Sequence, residues 1–98
     1  MKTKTGKSFP LGRVVATLNA LETLPPGEVT KALARHAACD WGDVDPDDWQ
    51  DNEHSLGEGL LGEGFRLFSV YHTASGVKFW VITEADRSAT TVLLPEDY

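Results

Sequence analysis

The chain has 98 residues, a formal net charge of −6, a single cysteine and 41% hydrophobic residues. That is enough for one small domain with a real core, and the aromatic content excludes wholesale disorder. One cysteine excludes an intramolecular disulfide, and no apolar run approaches the roughly 20 residues that a membrane-spanning helix needs.

The acidic balance weighs against direct nucleic-acid binding, because phosphate contacts need cations. Lys2, Lys4 and Lys7 are followed only by a short segment broken by Pro10, Gly12 and Arg13, so no secretory leader is expected. With lone Cys39, the expected location is the reducing cytoplasm. The charge is unevenly spread. Nine carboxylates fall between Asp40 and Glu63 with no lysine or arginine, whereas the first 35 residues carry six Lys or Arg against two Glu.

Residues 1–10 read as a flexible tail and 11–98 as a single α+β domain. Residues 13–17, RVVAT, favour a short strand. Asn19 and Glu22 have capping-box spacing and open a turn of helix through Leu24, which Pro25, Pro26 and Gly27 interrupt. A second helix is predicted over 26–38, with Glu28 at its positive end and Arg35 and His36 near its negative end. Lys31 and Arg35 fall on a solvent-facing side.

After a connection containing Trp41, Asp45 caps a third helix. Pro46 opens it, Asp47 and Asp48 fill its first turn, and it is predicted over 46–56 or a little further, with Trp49 and Leu56 on one face. The unit LGEG then occurs at 56–59 and again at 61–64. So many glycines predict that the helix ends before Glu58. Residues 65–73, 77–84 and 89–95 read as strands joined by tight turns at 74–76 and 84–88.

The expected fold is therefore α+β: an N-terminal short strand and two to three helices packed on a C-terminal three-stranded antiparallel meander. Both sheet faces are partly apolar, so the face without helices needs the N-terminal segment, a second subunit or a partner to cover it.

Few residues suggest chemistry. His36, Cys39 and Asp40, joined by His54 or His72, would offer zinc ligands, but four do not assemble in the sequence. The plainer reading makes Cys39 a small buried hydrophobe and His36 a polar residue of the last helical turn. Asp47, Asp51, His54 and Glu58 line one side of a helix without the alternating oxygen pattern of a calcium loop. No metal or cofactor is expected. His72, Glu84 and Arg87 would serve an alternative reading, a small toxin-like ribonuclease with acid, base and phosphate clamp on the sheet. There is no nucleophile elbow and no phosphate-binding glycine loop.

The leading expectation is a non-enzymatic interaction module. Asp40, Trp41, Asp43, Asp47, Asp48, Trp49, Asp51 and Glu53 would present carboxylates around aromatic anchors to a basic protein surface, in its sharpest form as a mimic of DNA. Trp41 and Trp49 suit core or interface equally, and Trp80 suits the core.

The segments DWGD (40–43), LGRVVAT (11–17) and the tail over 64–98, with its WVITEADRS-TTVLLPE pattern, resemble a family of small, mostly uncharacterised bacterial proteins that are plasmid-related or mobile-element-associated. The resemblance spans roughly 10–98, and the doubled LGEG looks like an expansion relative to that family. It implies accessory roles in plasmids, phages or defence islands, including inhibition of host nucleases by an anti-restriction or anti-CRISPR protein. The implied partner is a nucleic-acid-binding or defence protein; a homodimer is a separate option, left open by the uncovered sheet face. It implies no catalytic residues.

Overall fold

Three apolar runs separated by tight turns have little choice but to pair with their neighbours. In the computed structural model, which describes residues 8–58 and 66–98, β2 (Leu67–His72), β3 (Lys78–Thr83) and β4 (Ala89–Leu93) form the expected antiparallel meander. Leu67 lies opposite Thr83, and Thr83 opposite Thr90. The N-terminal strand β1 (Arg13–Ala16) joins the same sheet, parallel to β4, so the order is β1-β4-β3-β2. The sequence offers β1 as a strand but says nothing of its partner, which lies most of the chain away.

Between β1 and β2 come α1 (Leu18–Thr23), α2 (Pro26–Ala37) and α3 (Pro46–Glu58). Helices α1 and α2 cover one sheet face, where Ala20, Leu24 and Ala32 pack with Tyr71, Phe79 and Val81. No helix of the described residues is long and apolar enough to cross a membrane.

Several local expectations need correction. The cap of α1 is Thr17, whose hydroxyl accepts from the Ala20 amide at 3.0 Å; Asn19 instead donates to Asp97. The Asp45 cap stands, accepting from the Asp48 amide at 2.9 Å, but α3 continues through Glu58. The second LGEG unit lies outside the described residues. Within the segment read as a tail, Phe9 packs 5.9 Å from the Trp41 ring and 5.2 Å from His36, while residues 1–7 lie outside the described residues.

Helix α2 ends in a Schellman motif: the Asp40 amide bonds to the Arg35 carbonyl and the Cys39 amide to that of His36. Cys39 takes the left-handed position, φ 67°, usually given to glycine. The reversal brings the Asp40 carboxylate onto the Arg35 guanidinium at 2.8 Å.

His36, in the last turn of α2 as expected, is fully buried. It lies four residues after buried Ala32 and so shares its inward face. A chain of hydroxyls accounts for its polarity. Thr90 gives its one proton to the Leu11 carbonyl at 2.7 Å, so Thr83 must donate to Thr90, also at 2.7 Å. Thr83 then receives the proton of His36 Nε2 at 2.8 Å, and bare Nδ1 accepts from Ser69 at 2.6 Å. This order fixes the neutral Nε2–H imidazole. Burial pushes its pKa down to about 4.

Candidate protein-interaction site

An edge strand presents amides and carbonyls that need partners. At the β2 edge two devices supply them. The Asn52 side chain, from α3, bonds both backbone groups of Phe68. The 41–43 loop bonds both groups of Val70, through the Trp41 carbonyl and the Asp43 amide. Gly42 makes that approach with φ 72°, and a Cβ there would fall on the Val70 carbonyl oxygen and the Tyr71 ring. These bonds lay α3 along the edge of the sheet.

From that position α3 forms one wall of a groove of about 680 Å³ on the sheet face opposite α1 and α2. Asp48, Asp51 and Asn52 form the wall, Phe68, Trp80 and Ile82 the floor, and Arg66 and Tyr98 a further side. The aromatic rings support one another edge to face: Phe68 lies 5.2 Å from Trp80, and Trp80 5.8 Å from Tyr98. Arg66 donates to the Tyr98 hydroxyl at 2.6 Å, which raises the guanidinium pKa. The Asp48 carboxyl is also held above its ordinary range, first by partial desolvation and then by repulsion from Asp45, Asp51 and Asp47.

The eight residues expected at an interaction surface divide. Asp47 and Asp51 are exposed, Asp48 partly so, and Trp49 is 40% exposed. Trp41 has no exposed surface and is a core residue, its indole donating to Glu53 at 2.8 Å. Glu53 is thereby engaged with the core, not presented as an open carboxylate. Asp40 is paired with Arg35, a cation from outside the acidic run, and Asp43 lies 2.9 Å from His72 Nδ1. The acidic run thus has a compensating cation for Asp40 and a hydrogen-bonding ring for Asp43.

The structure does not assemble the ribonuclease set. His72 stands opposite Lys78 at one end of the hairpin, whereas Glu84 follows Thr83 at the other. About 20 Å along the strand direction separates them. Arg87 is engaged in its own turn, donating to the carbonyls of Glu84 and Ala85 and to Ser55. Nor does the zinc set form: both His36 nitrogens are engaged with Ser69 and Thr83, and among the described residues no three His, Cys, Asp or Glu side chains converge on a metal site.

Sequence reasoning missed Asn52, Arg66, Phe68 and Tyr98 as parts of the groove, and Trp80 is half-buried in its floor, not in the core. The available signal was alternation: Phe68, Trp80 and Ile82 fall on the strand face that the helices do not claim. No protein-family model, curated protein or solved structure matches this chain.

Proposed function

We propose that the domain is a non-enzymatic binding module whose acidic helix and aromatic groove accept a basic segment of a protein partner. The observation that carries this reading is that Asp48 and Asp51 line the same groove as Phe68 and Trp80, carboxylates in its wall and rings in its floor. A lysine or arginine side chain laid in the groove would set its charge against these carboxylates and its stem against the rings. Desolvation and then repulsion among the carboxylates raise the Asp48 pKa, and that cation would relieve the repulsion. Asp47, exposed beside the groove, would extend the acidic surface.

The partner class that fits is a nucleic-acid-binding or defence protein of the bacterial cytoplasm, whose phosphate-binding residues would meet the carboxylates of α3. Any resemblance to DNA then rests on the helix carboxylates, since Asp40 and Asp43 already have partners. This is the role expected of a mobile-element protein that blocks a host nuclease.

The test is a pull-down from a bacterial host, followed by affinity measurement with the captured protein. The Asp47→Asn/Asp48→Asn/Asp51→Asn variant is expected to lose about tenfold or more in affinity, ~1.4 kcal/mol per decade. Trp80→Ala is expected to weaken binding as well. Unchanged affinity in both variants, or capture of no basic protein, would refute the proposal.

A further inference from the structure

The two edges of the sheet are finished differently. At β2 the outward backbone groups of Phe68 and Val70 are occupied. At β1 the ladder to β4 is made by alternate residues: the amides of Arg13 and Thr17 donate to Ser88 and Val92, each at 3.0 Å. The amides and carbonyls of Val14 and Ala16 therefore point away from the sheet, and among the described residues they meet no partner. Apolar side chains accompany them. Val14 is 46% exposed and Val15 41%, with Leu18 and Leu21 of α1 more exposed still. An open, apolar edge of this kind is a template for another strand.

We propose that β1 pairs antiparallel with β1 of a second copy of this chain, about a two-fold axis at Val15, joining two four-stranded sheets into one. The reading is independent of the basic partner, which would meet the opposite edge.

Self-complementarity identifies the occupant. Only Val14 and Ala16 offer outward backbone groups, and a two-fold axis at Val15 sets Val14 of each copy opposite Ala16 of the other, so both residues satisfy both groups. Val14 and Ala16 are in register with Thr90 and Val92, which are buried beneath the helices, so they point to that face. There the large Val14 of one copy stands against the small Ala16 of the other. It also stands beside an apolar pocket of about 220 Å³ lined by Ala16, Ala20, Leu21 and Leu24. On the other face Val15 meets its own copy, and Arg13 lies opposite Thr17, so no like charges meet across the strands.

Charge favours the same edge. Between residues 13 and 23 the only charged residues are Arg13 and Glu22. The carboxylates of α3 lie along β2, at the far edge, so two chains of net charge −6 would join where repulsion is least.

Sedimentation equilibrium on the full chain, from micromolar to millimolar concentration, tests the proposal. The wild type is expected to be a dimer at the upper end. Val15→Lys and Val15→Glu each place like charges on the axis and are expected to be monomers with unchanged circular dichroism, because Val15 is already part-exposed. An equimolar mixture of the two is expected to recover the dimer mass, which a merely misfolded variant would not do. A wild type that stays monomeric would overturn the proposal, leaving the edge to a strand of another protein. So would dimerisation of Val15→Lys as tight as the wild type, or a mixture that remains monomeric.

Discussion

Asn52 stands where the next strand would be beside Phe68. Its Nδ2 donates to the Phe68 carbonyl at 2.7 Å, and its Oδ1 accepts from the Phe68 amide at 3.0 Å. At 2% exposure, the side chain has little water to replace either bond. Asn52→Leu would leave two backbone groups unsatisfied, at about 2–4 kcal/mol together. Asn52→Asp keeps size and acceptor but sets a carboxylate oxygen against the carbonyl. Its deficit should shrink in acid, where the protonated carboxyl can donate. Urea unfolding of both variants and the wild type, at matched pH near neutrality and near 4, checks this; an Asp deficit that does not depend on pH would contradict it.

Two glycines separate backbone strain from steric exclusion. Gly42 and Gly76 both have positive φ, 72° and 93°. A Cβ at Gly76 meets nothing within 4 Å, whereas one at Gly42 runs into the Val70 carbonyl and the Tyr71 ring. Gly76→Ala should cost only the backbone term, about 1–2 kcal/mol. Gly42→Ala must also push the 41–43 loop off β2 and is expected to cost at least about 2 kcal/mol more, with loss of hydrogen-exchange protection at Val70. Equal melting temperatures for the two variants would count against the assigned loop–strand contact.

The difference between these glycines shows where sequence reading stopped. The meander was legible because apolar runs, turn composition and short connections all agree. The α3 start was legible because Asp45, Pro46, Asp47 and Asp48 form a local signal, one that Asp45 meets through the Asp48 amide. The partner of β1 was not, since parallel pairing with β4 depends on contacts across most of the chain. The end of α2 was read to within a residue, but the turn that follows it was obscured because Cys39, not glycine, occupies the left-handed position. That obscured turn carries Asp40 back to Arg35 and leads Trp41 into the core, which is why the acidic run looked more uniform than it is. The groove was half visible: its floor follows from strand alternation, but its acidic wall follows from Asn52 docking on Phe68, a contact with no periodic signature.

The His36 chain predicts a defined pH response. With its pKa lowered to about 4 from an ordinary 6.5, the folded chain keeps the imidazole neutral where the unfolded chain protonates it. The unfolded state then binds more protons, so this contribution is fully present above pH 6.5 and is lost as pH falls toward 4. The complete change is about 3 kcal/mol. Protonation would also force Nδ1 to donate to Ser69, breaking the order of hydroxyl protons. His36→Gln, neutral throughout, should be less stable than wild type near neutrality, and the gap should narrow in acid. Parallel stability curves for the two proteins across this range would show that His36 is not held neutral by the fold.

Asp48 has the opposite sign. Its folded pKa is raised, so its ionisation opposes folding at neutral pH, through desolvation first and then through Asp45, Asp51 and Asp47. A group placed there for stability would not show this. Asp48→Asn removes the charge while retaining the backbone amide that Asp45 caps. It should leave the melting temperature unchanged or slightly higher, and still weaken binding of a basic partner severalfold, more at low salt than at high salt because the contact is screened. Calorimetry on the variant and a salt series with the captured partner measure the two effects separately. A loss of stability with binding intact would make Asp48 a structural residue of α3. Stability retained with binding lost is what a carboxylate kept for a cation in the groove must show.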